Sequence, residues 1–122
     1  MSNSKPEHEV AIACDLSVFT PEQRDYHLAL AGEVFAAVTQ VGDLLDGYTF
    51  QLPGDSAMVF KLAEFIRDER LCCPFWTFGV TVEPPGGAIW LQLTGPDGAK
   101  EAVVAELAGL LDANVAAAAG LR

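Results

Sequence analysis

An α+β fold, with one small single-layer β-sheet packed by helices in the order β-α-β-α-β-β-α, is what three observations in the sequence predict. Apolar residues recur at helical spacing in three separate stretches, they alternate with polar residues in others, and turns bearing Pro or Gly divide the two kinds. Three amphipathic helices need a common surface on which to bury their stripes, and a sheet of alternating strands supplies it. At 122 residues the chain has the size of one domain, and its 51% hydrophobic content marks a dense core. No apolar run approaches the roughly 18 residues of a membrane span.

Residues 1–8 are polar and charged and are expected to be disordered, which leaves 9–122 as a single α+β domain. A first strand is predicted from Glu9 to Cys14, with Val10, Ile12 and Cys14 on its inner face. Thr20 then opens a helix as N-cap, with Pro21 at the first position and Gln23 closing a capping box. That helix is expected to reach about Gln40 and to bury Leu28, Ala31, Val34, Phe35 and Val38. His27 sits near the stripe's edge, where a lone helical histidine is more often structural or solvated than catalytic.

Asp43–Gly47 reads as a connection, and Tyr48–Leu52 as a strand with its aromatic face inward. Asp55 caps a second helix whose stripe is Val59, Leu62, Ala63 and Ile66, with Lys61, Glu64, Asp68 and Glu69 outward. Pro74 stops it, so Cys72 and Cys73 fall in or just past the last turn. Phe75–Glu83 and Ala88–Thr94 form an antiparallel pair across Pro84-Pro85-Gly86-Gly87, their two tryptophans serving as packing. A last helix, roughly Ala99 to Ala116, follows Gly95-Pro96-Asp97-Gly98.

The net charge of −10, from 17 acidic against 7 basic residues, excludes nucleic acid as a partner, because phosphate binding needs clustered Lys and Arg. No membrane partner is expected either. The first nine residues lack the apolar core of an export signal, which predicts a cytoplasmic protein. Three cysteines are an odd count for a disulfide framework, so reduced thiols are expected.

The chemistry concentrates at Cys72-Cys73. Two thiols at one backbone point invite oxidation and metal capture unless buried or put to use, and packing rarely requires both. A helix C-terminus disfavours thiolates there, Asp68 and Glu69 add negative charge, and a bound cation would offset both. Cys14, taken alone, reads as a small core residue. If folding brings it to the pair, three sulfurs form a site for a soft ion: zinc, mercury(II) or, behind them, trivalent arsenic. Zinc would need a fourth ligand such as water, a histidine or Glu69. Were Cys14 to end a strand parallel and adjacent to the one after Cys73, the two would lie far apart. A shared site therefore requires an antiparallel relation or completion by a second copy in a homodimer.

The run Glu69-Arg70-Leu71-Cys72-Cys73-Pro74-Phe75-Trp76-Thr77-Phe78, with Ile89–Pro96, Ala13-Cys14-Asp15-Leu16, Gly47-Tyr48 and Gly95-Pro96-Asp97-Gly98, resembles a family of small bacterial proteins bearing a Cys-Cys-Pro-Phe motif. Similar segments are appended to some mercury-resistance-type (MerR-like) regulators, although this chain has no helix-turn-helix portion. The resemblance, which spans about Cys14 to Leu111, implies that Cys14, Cys72 and Cys73 belong to one site for a thiophilic metal. The expected function is heavy-metal or metalloid binding by Cys14, Cys72, Cys73 and Glu69, without catalysis. Two alternatives stand beside it. Two cysteines and a carboxylate, Glu69 or Asp15, match the chemical type of an organomercurial lyase, and adjacent thiols admit a redox role.

Overall fold

The computed structural model describes residues 11–121, so the expected disorder of residues 1–8 and the first two residues of the expected first strand lie outside the described residues. Ala11–Cys14 form no strand; they lead as an irregular segment into a short 3-10 turn at Leu16–Val18. Thr20 caps the first helix, α1 (Pro21–Ala36), by the capping box the sequence predicts: its hydroxyl accepts from Gln23 N–H while the Gln23 side chain accepts from Thr20 N–H.

Helix α1 ends four residues earlier than expected, because Gln40–Leu44 is a strand, β1, paired antiparallel with β2 (Gly47–Leu52) through a two-residue turn at Leu45-Asp46. Helix α2 spans Ser56–Cys72 and is capped by the Asp55 carboxylate, which accepts from Met58 N–H at 2.8 Å. Strands β3 (Thr77–Val82) and β4 (Ile89–Thr94) complete a four-stranded, wholly antiparallel sheet in the order β1-β2-β4-β3. The last helical region is broken into α3 (Ala99–Glu106), a 3-10 turn at Ala108–Leu110 and α4 (Ala113–Ala118), since Asp112 caps a fresh helix by accepting from Asn114 and Val115. The fold class is therefore α+β with one small sheet packed by helices, its fourth strand being Gln40–Leu44 in place of Glu9–Cys14.

The core lies between one sheet face and the helices. Ile89, Leu91 and Leu93 of β4 pair with Leu52, Phe50 and Tyr48 of β2, and the first five of these side chains are wholly or nearly buried. Trp76 is also core, its indole N–H donating to Ala99 C=O at 2.9 Å. The edge strand β3 is less covered, leaving Val80 and Val82 exposed.

Two helix stripes are rotated from expectation, and both rotations shape the site. On α1 the buried set is His27, Leu30, Ala31, Val34 and Phe35, so Leu28 faces solvent and His27 takes the inner position. On α2 it is Met58, Leu62, Phe65, Glu69 and Cys72, with Val59 and Ala63 exposed and Glu69 inside. Leu28 lies about 100° around α1 from His27, and Val59 and Ala63 lie about 80° and about 120° around α2 from Glu69.

At Gly47 a Cβ would run into the Leu93 carbonyl of β4, so β2 and β4 approach only through a residue without a side chain. Gly47→Ala should lower stability in urea unfolding by about 1–3 kcal/mol. Gly32→Ala, in the middle of α1 with open space around the missing Cβ, should raise it by about 0.5–1 kcal/mol.

Candidate metal and thiol site

The C-terminal end of α2 is where the chain's reactive side chains gather. Cys72 is the last helical residue and Cys73 the cap, its N–H donating to Glu69 C=O at 2.8 Å before Pro74 ends the helix. The segment after residue 11 crosses this end, with Asp15 N–H donating to Cys72 C=O at 2.7 Å. That crossing seats Cys14 on Cys73, and the two are joined by a disulfide with Cα atoms 4.3 Å apart. Cys72 stays a free, buried thiol, its Sγ 3.6 Å from Cys73 Sγ.

All three sulfurs thus meet within one chain. A loop crossing, rather than antiparallel strands, brings Cys14 to the pair. The expectation of three reduced thiols is corrected for Cys14 and Cys73, whose close approach permits the bond.

Glu69 stands one helical turn before Cys72, on the same face of α2. Its Oε1 lies 3.6 Å from Cys72 Sγ and 2.6 Å from His27 Nε2, which belongs to the facing helix α1. With Glu69 as a carboxylate, which only accepts hydrogen bonds, Nε2 is the donor of this pair. The imidazole is stacked on Phe65 at 5.7 Å between centroids and touched by Phe19 at 5.4 Å. His27, Glu69 and Cys72 are each no more than 4% exposed, and one ligating atom from each lies within 4.8 Å of the others.

The arrangement differs from a catalytic triad. In a triad the nucleophile and the acid bind opposite ring nitrogens, so that the acid orients the base. Here Cys72 Sγ, at 3.9 Å, and Glu69 both face Nε2, while Nδ1 is buried without a hydrogen-bond partner among the described residues. Cys72 is the free thiol here, and Cys73 would become a second sulfur donor only on reduction of its disulfide. Two sulfurs on one tetrahedral zinc, with Zn–S about 2.3 Å, stand about 3.8 Å apart, close to the 3.6 Å between Cys72 and Cys73.

Burial pushes the Cys72 thiol up to about 12 from an ordinary 9.0, with the charge of Glu69 and the hydrogen bond to it as the next causes. The sequence indicated this direction from the helix end and its acidic neighbours, but desolvation is the larger effect. Asp68 contributes least, its carboxyl held below the usual range by Arg67, which binds it on the surface at 2.9 Å. Asp15, the other carboxylate considered, is exposed and caps Ser17.

Every site residue predicted from sequence, Cys14, Cys72, Cys73 and Glu69, is therefore in one cluster; His27 was the residue sequence reasoning passed over. Its signal was positional, since counting back four from Ala31 puts His27 on the buried face. Comparison with protein-family models, curated proteins and solved structures returned no match. No helix among the described residues is long and apolar enough to cross a membrane.

A thiol whose folded pKa is raised keeps its proton longer in the folded state, so its contribution to stability is fully present below the unfolded value. That contribution falls as pH rises from about 9 towards about 12. Wild type should thus lose stability over this window more steeply than Cys72→Ser, as read by urea midpoints at successive pH values.

Proposed function

We propose that the chain binds one soft metal or metalloid ion through Cys14, Cys72 and Cys73, with Glu69 beside them, once the Cys14–Cys73 disulfide has been reduced. The observation that carries this reading is the meeting of the three sulfurs at the end of α2, with the buried Glu69 carboxylate 3.6 Å from Cys72 Sγ. Reduction by a dithiol adds two electrons and two protons and yields the Cys14 and Cys73 thiols. A soft cation then displaces the thiol protons and offsets the burial and, after it, the negative charge that keep Cys72 protonated. Zinc, mercury(II) and arsenite are the ions of suitable softness. We read the compartment as the cytoplasm, where thiols are held reduced. The Cys-Cys-Pro-Phe resemblance supports the same class of ligand.

The disulfide beside a third thiol favours one second reading, a thiol redox protein. A thiol pushed up to about 12 is almost wholly protonated near neutrality and is a slow nucleophile, so this reading ranks second.

Native mass spectrometry with zinc, mercury(II) and arsenite, on reduced and oxidised protein, tests the proposal. The reduced chain should carry one ion, and Cys14→Ser, Cys72→Ser and Cys73→Ser should each weaken binding by at least about tenfold, with protons released on loading. Unchanged binding in Cys14→Ser would reject the three-sulfur site. Catalysed disulfide turnover without metal binding would favour the redox reading, and hydrocarbon release from an organomercurial would make the chain an enzyme.

A further inference from the structure

We propose that His27 is a positioning residue for a four-coordinate metal centre: it holds the Glu69 carboxylate as the fourth ligand beside the three cysteines and so directs the site towards a divalent ion of the zinc class. This rests on the three-thiol reading above and adds the fourth ligand and the ion it selects.

Two donors other than sulfur compete for the fourth position. An oxygen and a nitrogen sharing one tetrahedral zinc, each bonded at about 2.0–2.2 Å, stand about 3.3–3.5 Å apart. His27 Nε2 and Glu69 Oε1 are 2.6 Å apart, so one ligates and the other supports it. Glu69 Oε1 lies 3.6 Å from Cys72 Sγ, against 3.9 Å for Nε2. A sulfur and an oxygen on one tetrahedral zinc want about 3.5 Å.

Hydrogen bonding decides the same way. Ligation through Nε2 would take its hydrogen from Glu69 and leave the buried carboxylate without that donor, while Nδ1 has no partner among the described residues in either case. The ring, packed between Phe19 and Phe65, has no freedom to turn towards another. Ligation through Glu69 keeps the Nε2–H donation to the carboxylate, which fixes the carboxylate's orientation and spreads part of its charge.

The consequence is selectivity. Trivalent arsenic completes its bonding with three thiolates and gains nothing from a positioned oxygen, whereas zinc needs a fourth ligand.

The test uses the full chain in reduced form. Cobalt(II) absorption reports four-coordinate geometry, zinc is measured by competition, and arsenite by titration, on wild type, Glu69→Gln, His27→Phe and His27→Gln. Phenylalanine suits the aromatic surroundings of His27, and glutamine keeps an N–H donor. Wild type should give a tetrahedral cobalt spectrum. Glu69→Gln and His27→Phe should each weaken zinc about 10–100-fold while leaving arsenite within about threefold, and His27→Gln should recover most of the zinc affinity. Unchanged zinc affinity in His27→Phe would overturn the proposal, and so would equal losses of zinc and arsenite. Damage in His27→Gln as large as in His27→Phe would make Nε2 itself the ligand and also overturn it. Binding of arsenite or mercury(II) without zinc by the wild type would reject this inference and leave the three-thiol reading standing; binding of none would reject both.

Discussion

The contact between His27 and Glu69 is the constraint around which the packing of α1 and α2 is arranged. A carboxylate taken out of water costs several kcal/mol unless it is paired, and Glu69 is only 4% exposed at a helix end whose dipole already repels negative charge. One 2.6 Å bond from the facing helix answers that cost, and it sets how the helices can rotate. With His27 turned inward, Leu28 is left in water; with Glu69 turned inward, Val59 and Ala63 are too. The same inward faces bury Leu30, Val34, Met58, Leu62 and Phe65, so apolar burial and the His27–Glu69 pair set the rotation together. What burial does not account for is the polar group of three, an imidazole, a carboxylate and a thiol, enclosed together on that seam, and the proposed function is built on it.

Much of the fold was legible because it is written in local signals. Thr20 with Gln23, Asp55, Pro74 and the turn at Pro84–Gly87 each mark an element boundary by a mechanism that acts over a few residues, and the structure honours them. What escaped was settled by tertiary contact. Gln40–Leu44 carries Gly42 and Asp43, residues that argue against a strand on their own, yet pairing with β2 across a tight turn makes it one. The cysteine site was half legible for a similar reason. The three thiols and Glu69 could be named from residue chemistry, but His27 was hidden by its neighbour, because counting hydrophobicity favoured Leu28 by one position.

The N-terminal segment joins α2 through more than its sulfur bond. Asp15 N–H meets Cys72 C=O, Phe19 packs on the His27 ring, and Ile12, Cys14 and Phe19 rest half-buried against the core. None of these contacts uses the sulfur atoms of Cys14 and Cys73. Reduction would remove a covalent constraint while leaving these other contacts available to hold the segment, so on the proposed reading the oxidised and metal-loaded forms would be two states of one cluster.

Magnitudes show how those states compare. A disulfide joining residues 59 apart contributes about 4 kcal/mol by restricting the unfolded chain, a large part of the roughly 5–15 kcal/mol that a domain has in total. If the chain binds an ion as proposed, the reduced, metal-free chain would be the least stable of the three forms. A structural ion bound by several thiolates contributes on the order of 10–16 kcal/mol at neutral pH in small zinc domains. About half of that would already exceed what reduction removes. Loading would leave the chain more tightly folded than the cross-linked form, and the ion would replace the disulfide as the tie between Cys14 and the end of α2.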